Sequence, residues 1–213
     1  MLVGFVGLIG SGKGTAGELL IKHGFVPDSF AKPVKDAVAA LFNWPRHLLE
    51  GDTVESRAFR EQPDAYWSLV MGRPYTPREA LQKMGTEVGR NSFHPDLWVK
   101  TLEKRVRYSP HPNIVITDVR FPNEIEAIRN QGGRVIVIER GVKPPHYDDA
   151  LASNQLTHWN GQLQHLPKFP DKHYSEWAWI GHPMLRERIK NDGTVEELEQ
   201  QLVLALGLHQ NKV

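Results

Sequence analysis

Four glycines, a serine, a lysine and a threonine stand within GLIGSGKGT, Gly7 to Thr15, directly after the apolar run MLVGFV. Gly7, Gly12 and Lys13 fit the pattern G-x-x-x-x-G-K-[ST], in which a strand turns into a helix and offers successive backbone N–H groups to a phosphate. The helix N-terminus adds partial positive charge, and the lysine reaches the β- and γ-phosphates. These residue types point to a nucleoside triphosphate cradled by Gly10, Ser11, Gly12, Lys13, Gly14 and Thr15. A glycine turn without a ligand would need neither the strand before it nor the lysine within it. One position departs from the pattern: Gly14 stands where a hydroxyl usually ligates Mg²⁺, and Thr15 follows it. The ion is then expected to rest mainly on phosphates and water, with a carboxylate elsewhere and Thr15 as a weak ligand.

A second group lies in IVITDVRFPNEIEAI. Asp118 closes a β-branched run, and in open α/β sheets ligands bind at that edge of the strands. A carboxylate there orients Mg²⁺ or its water shell; a plain loop or helix-cap aspartate is the alternative. Arg120 offers a bidentate guanidinium, suited to neutralising charge while a phosphoryl group passes between two anions. Its alternative is a surface ion pair with Glu124 or Glu126. Lys13, Asp118 and Arg120 are thus the expected catalytic residues. Arg78 opens a helix that Arg90 ends, and Gln82, Gly85 and Gly89 lie close to its face, a small-residue strip that a ligand could approach. Either arginine could equally be solvated; Arg57, Arg60 and Arg73 rank below them. None of the ten histidines sits in a metal-binding spacing. The six tryptophans read as packing, with Trp44, Trp67 and Trp98 as candidates to stack on an acceptor base.

These groups need a sheet edge to stand on. Residues 2–7 are too short for a transmembrane helix, lack a basic flank and read as a buried strand. GTAGELLIKHGF shows helical spacing at Ala16, Leu19 and Leu20. FVPDSFA suggests a second short strand, and KPVKDAVAALFNW a helix with Pro33 in its first turn. Residues 45–76 read as polar and irregular. TPREALQKMGTEVGR reads as one helix with Thr76 as N-cap, Glu79 at the capping-box position and a stripe of Leu81, Met84 and Val88. HPDLWVKTLEKRVR is another, its stripe at Leu97, Val99, Leu102 and Val106. NIVITD and RVIVIER are strands, and with the helix NEIEAIRNQGG between them they form a right-handed unit of a parallel sheet. Residues 141–183 hold many His, Pro, Trp and Asn residues and little periodicity, which predicts an insertion or lid. A short strand, a turn and a helix capped by Thr194, with Glu197 three residues on, close the chain.

The 213 residues, 40% hydrophobic and 24% charged with net charge +1, suit one soluble α/β domain over 1–213. That charge balance argues against a broad surface for a nucleic-acid polymer or a membrane, but not against arginines gathered at one anionic site. The absence of cysteine removes disulfides and thiolate metal sites and fits a reducing cytosol.

The GSGKGT loop resembles that of nucleoside monophosphate kinases such as adenylate kinase, where glycine after the lysine is usual. Over nearly its whole length the chain is similar to the bacteriophage deoxynucleoside monophosphate kinases. The similarity rests on GLIGSGKGT, SFAKPVKDAVAALFNW, TPREALQKMGTEVGRNSFHPDLWV, ITDVRFPNEIEAI, and HYSEW followed by KNDGTVEELEQQL. It implies a three-layer P-loop kinase fold, a parallel sheet flanked by helices, with a helical acceptor-binding insertion near 32–107 and a lid-like insertion near 141–183. The implied reaction moves the γ-phosphoryl of ATP, with Mg²⁺, to a deoxynucleoside monophosphate (dNMP), giving dNDP and ADP in phage nucleotide metabolism. Lys13 and the loop amides would hold the ATP phosphates, Asp118 would act on Mg²⁺ through water, and Arg120 would bind the acceptor phosphate. Segment 29–36, with Lys32, and the helix bearing Arg78, Gln82 and Arg90 would line the acceptor pocket. Asn191 and Gly193 in NDGT would lie by the ATP base. Arg120 precedes Phe121 and Pro122, whereas adenylate kinases carry their arginine after the corresponding pair. The lid stretch has only Lys143, Lys168 and Lys172 as cations, with Arg140 and Arg186 at its borders. Alternatives are a related small-molecule kinase, for example one acting on dephospho-coenzyme A, and a P-loop ATPase or nucleotide sensor. The expected partner is the dNMP, in the cytoplasm (a host's, for a phage gene), with a homodimer allowed.

Overall fold

The computed structural model describes residues 1–160 and 174–208. Its chain divides into two compact units, one of Met1–Ser29 with Arg105–Val213 and one of Phe30–Lys104.

The first unit is built on a five-stranded parallel sheet. β1 (Leu2–Val6) is buried at every position, as an apolar run in a sheet covered on both faces must be. β2 (Val26–Asp28), β3 (Ile114–Ile116), β4 (Arg134–Glu139) and β5 (Glu187–Lys190) join it in the order β2-β3-β1-β4-β5. Val3 pairs with Val115 on one side, and Gly4 pairs with Val135 on the other. The expected strand–helix–strand unit is present, but its two strands are not neighbours: β1 lies between β3 and β4. The helix of that unit therefore crosses over β1, whose buried LVGFV run is the most apolar partner available to both.

In chain order the helices are α1 (Lys13–Lys22), α2 (Lys32–Phe42), α3 (Val54–Glu61), α4 (Ala65–Met71), α5 (Pro77–Lys83), α6 (Leu97–Arg107), α7 (Pro122–Asn130), α8 (Tyr147–Asn160) and α9 (Val195–Leu206). Val3 and Phe5, alternate residues of β1, pack with Leu19 and Leu20 of α1 and Leu198 and Leu202 of α9. The opposite face takes α7, whose Ile128 reaches to within 2.6 Å of where a Cβ on Gly4 would lie. Helices thus cover both faces of a parallel sheet, the expected three-layer α/β arrangement. Arg105 donates to both carboxylate oxygens of Asp28, at 3.0 and 3.2 Å, and to the carbonyl of Ser29 at 2.7 Å, so it fastens the end of β2.

The second unit departs from several expectations. Residues 45–76 are not irregular but hold a tight turn at Arg46–Leu49 followed by α3 and α4. Thr53 and Asp64 cap these helices, which are 8 and 7 residues long. Their core contacts come from aromatic rings at irregular spacing, so hydrophobic periodicity did not reveal them. Phe42 stacks on Trp44 at 4.6 Å, Trp44 Nε1 donates to Asp64, and Trp67 Nε1 donates to the Phe42 carbonyl. Trp44 and Trp67 are therefore packing residues.

The helix from Thr76 is capped as expected by the threonine side chain, but the Glu79 carboxylate turns to Arg73. It also stops at Lys83, where the backbone widens into a π-helical stretch, Met84–Phe93. The cause is Trp98. Its Nε1 donates to the Gly85 carbonyl at 2.7 Å, and a Cβ on Gly89 would lie 2.2 Å from its ring. The small-residue strip is thus filled by an indole, and Val88 stays exposed. In α6, Trp98 joins Val99 and Leu102 as the buried face, leaving Leu97 and Val106 half-buried.

Within the expected insertion, the described residues 141–160 and 174–183 hold regular structure that their composition did not suggest: α8 occupies Tyr147–Asn160. Asn154, 3% exposed, donates to the carbonyls of Trp177 and Ile180, and Trp177, Ala178, Trp179 and Ile180 are buried. Side-chain-to-backbone bonds of this kind leave no periodic signal. Lys168 and Lys172 lie outside the described residues. No helix among the described residues is long and apolar enough to cross a membrane.

Candidate active site

β1 delivers the chain to the loop, and α1 carries it away from Lys13 onward. Gly12 is the N-cap of α1 with φ +97°, a left-handed conformation open to glycine. The first turn of α1 bears no acidic side chain, so no carboxylate of its own competes for the free N–H groups there. Ser11 is 3% exposed, and its Oγ has no hydrogen-bond partner among the described residues.

Lys13 folds back over the loop and donates to the carbonyls of Gly7 and Leu8, both at 2.8 Å. Burial, and secondarily the charge of Arg120, depress its pKa from 10.5 to about 8. Among the described residues, neither the Lys13 ammonium nor the Arg120 guanidinium has a carboxylate within ion-pair distance. Two cations that repel each other, with a helix N-terminus on the same loop, form a field that a polyphosphate would relieve.

Asn191 meets this loop from behind. It is 8% exposed, its Nδ2 donates to the Ser11 carbonyl at 2.9 Å, and its own N–H donates to the Glu139 carbonyl. A Cβ on Gly12 would lie 2.1 Å from Nδ2. Asn191, expected near the ATP base, thus supports the loop backbone. Gly193 is exposed in the turn before α9, where Glu197 closes the capping box with Thr194. Replacing Gly12 with alanine should force the Asn191 amide away and strain the backbone, weakening ATP binding at least about tenfold. Calorimetric titration of the purified variant with ATP checks this; wild-type affinity would remove the close approach from the account.

Asp118 and Arg120 follow β3 in the stretch that leads to α7. Val119 between them is buried. Asp118 is half-buried and Arg120 is exposed. Arg120 does not form the surface pair weighed as its alternative. Its backbone N–H, not its guanidinium, donates to Glu124 at 2.8 Å, and Glu126 faces His182 at 3.5 Å. The sequence offered Glu124 only as an ion-pair partner for Arg120; its place as acceptor for the backbone of this turn was not read, although its position three residues beyond Phe121 was the available signal.

No group of three or more His, Cys, Asp or Glu residues that could hold a metal occurs among the described residues. Asp118 and the half-buried Thr15 are the donors nearest the expected metal role. At Gly14 a Cβ would meet nothing within 4 Å, so the missing hydroxyl is not a steric demand of the fold.

The expected acceptor residues other than Arg120 lie in the second unit. Lys32, in the first turn of α2, pairs with Asp36 at 2.7 Å. Arg78 pairs with Glu61 across an exposed contact. Gln82 is exposed one turn further along α5, on the same helix face. Arg90 sits in the π-helical stretch and donates to the Pro95 carbonyl at 3.4 Å. Arg140 and Arg186 are exposed.

Comparison with known proteins adds to this geometry. The sequence profile of the deoxynucleotide monophosphate kinase family matches residues 49–162. A provisionally named deoxynucleotide monophosphate kinase of Acanthamoeba polyphaga mimivirus is 35% identical over 155 residues, covering 66% of this chain and 74% of that protein. The deoxynucleoside-5′-monophosphate kinase of Escherichia phage T5 is 46% identical over 66 residues, 31% of this chain and 25% of that one. Among solved structures, dephospho-CoA kinase from Campylobacter jejuni covers 97% of this chain and 95% of its own at 16% identity, with a TM-score of 0.44, too slight a likeness to argue from. The family profile spans half of the chain and the mimivirus alignment two thirds of it: the chain belongs to the deoxynucleotide monophosphate kinase family.

Proposed function

We propose that the protein transfers the γ-phosphoryl of ATP to the phosphate of a deoxynucleoside monophosphate. An acceptor phosphate oxygen forms the new bond to the γ-phosphorus as the bond to the β–γ bridging oxygen breaks, releasing ADP and a dNDP. The observation that carries this reading is the Lys13 ammonium folded over the glycine loop, its pKa lowered to about 8 by burial and secondarily by the charge of Arg120. Lys13 and the amides from Gly10 to Thr15 hold the β- and γ-phosphates. Arg120 takes the acceptor phosphate, and Lys32, Arg78, Gln82 and Arg90 contribute to acceptor binding. Asp118 would hold the water shell of Mg²⁺, an ion that would supply charge neutralisation for the transferring phosphates. The stretch 141–183 is the proposed lid, with Arg140 and Arg186 as its nearest arginines.

A panel of four dNMPs, four ribonucleotides and dephospho-coenzyme A, read by coupled ADP release, tests the acceptor. Turnover on dNMPs with little ATPase in their absence is expected. Turnover only on dephospho-coenzyme A, or hydrolysis without any acceptor, would replace the reading. In the same assay Asp118→Asn should lower kcat and raise the Mg²⁺ requirement with acceptor KM nearly unchanged. A raised acceptor KM with normal metal dependence would move Asp118 to the acceptor side.

The lowered pKa of Lys13 gives ATP binding a pH signature. Below about pH 8 the ammonium is already charged and affinity is flat. Above it the free protein loses the proton, and binding to phosphate must restore it, so affinity falls as pH rises, by up to about tenfold per unit. Lys13→Arg keeps its charge and should flatten the profile between pH 7 and 9.5. An identical slope in that variant would show that Lys13 is not the titrating group.

A further inference from the structure

We infer that Glu124 is a positioning residue for phosphoryl transfer, holding the turn from which Arg120 reaches the phosphates; this rests on the reading of Arg120 as a phosphate ligand. Glu124 is 2% exposed, yet it lies in the first turn of α7, where a helix needs only a small polar cap. Thr53, Asp64, Thr76 and Thr194 cap their helices in this same chain from exposed or half-buried positions. At the start of α7 the cap position is Phe121, whose side chain has no acceptor. One carboxylate oxygen, Oε2 of Glu124, receives both the Arg120 N–H at 2.8 Å and the Phe121 N–H at 3.1 Å. The first of these lies outside the helix, so the contact does more than cap it. Burying a carboxylate is costly without such bonds, and a serine at 121 would cap the helix without that cost.

The residues flanking Arg120 are held as well. Val119 is 1% exposed, and the Phe121 ring packs against Tyr174 at 5.9 Å. Arg120 thus projects an exposed side chain, with no ion pair among the described residues, from a backbone held on both sides. That suits a guanidinium which must meet a phosphate in one geometry, and a misplacement of about 1 Å can cost on the order of a hundredfold in rate.

The test is a double-mutant cycle of Glu124→Met with Arg120→Ala, read both by kcat on the best dNMP and by urea unfolding. Glu124→Met should lower kcat at least about tenfold with ATP KM unchanged, and by less than about twofold in the Arg120→Ala background. The stability it loses should be the same in both backgrounds, which separates positioning from simple capping. Glu124→Gln should keep most of the activity, since one oxygen holds both amides, whereas Glu124→Asp should lose it for want of reach. These last two variants carry the test should the methionine protein not fold. An impaired Arg120→Ala beside a fully active Glu124→Met overturns the inference and leaves the Arg120 reading standing. Equal fold losses in both backgrounds, or an active Asp variant beside an inactive Gln variant, also overturn it. Unchanged transfer in Arg120→Ala removes the Arg120 reading and the inference with it.

Discussion

Lys13→Met should lower phosphoryl transfer at least about a hundredfold, corresponding to about 3 kcal/mol of transition-state stabilisation, while leaving the protein no less stable. The first half follows from the position of the ammonium on the loop, 2.8 Å from the carbonyls of Gly7 and Leu8, where a γ-phosphate would be met. The second half follows from its titration. A lysine whose folded pKa is lowered from 10.5 to about 8 is charged at a cost to folding. Below pH 8 that cost is fully present, and it is relieved as pH rises from about 8 to 10.5, because there the unfolded chain binds more protons than the folded one. Methionine keeps the stem and removes the charge. The loss of two hydrogen bonds, about 1 kcal/mol each, offsets part of the gain. Thermal unfolding at pH 7 and steady-state kinetics on the same preparation check both halves. Near wild-type turnover would refute the phosphate role; a strongly destabilised variant would show that Lys13 supports the loop instead.

Arg120→Ala should lower kcat/KM for the dNMP by about a hundredfold or more, with a much smaller change in ATP KM. Its guanidinium is exposed and unpaired among the described residues, and its charge is felt at Lys13. Removing it should also raise the Lys13 pKa, so the bend in the pH profile of ATP affinity should move upward. Arg78→Ala is the companion variant. Arg78 must give up Glu61 to reach a ligand, so its loss should raise acceptor KM less. A nucleoside without its phosphate should be a very poor acceptor for every form. If both variants lose ATP affinity and keep dNMP affinity, these arginines belong to the donor side.

Much of this was legible because it is local. The loop from Gly7 to Thr15 carries its chemistry in adjacent residues, and the caps at Thr76 and Thr194 need only a hydroxyl and an amide three positions away. The apolar strands announce themselves within five or six residues, and the ordered motifs of the family stand in the chain itself. What tertiary structure alone decided depends on residues far apart in sequence or on burial. Placing β1 between β3 and β4 requires three segments to meet. Asn191 supports Ser11 across 180 positions, and no spacing rule joins them. Trp98 fills the groove of Gly85 and Gly89 because an indole happens to be folded onto it, which turned an apparent ligand strip into packing and opened the helix into a π-helical stretch. Lys13 and Glu124 are ordinary charged residues in one dimension. They become a weakened base and a buried clamp only when folding strips water from them and sets other groups at fixed distances, since desolvation and Coulomb terms depend on position in space and not on order along the chain.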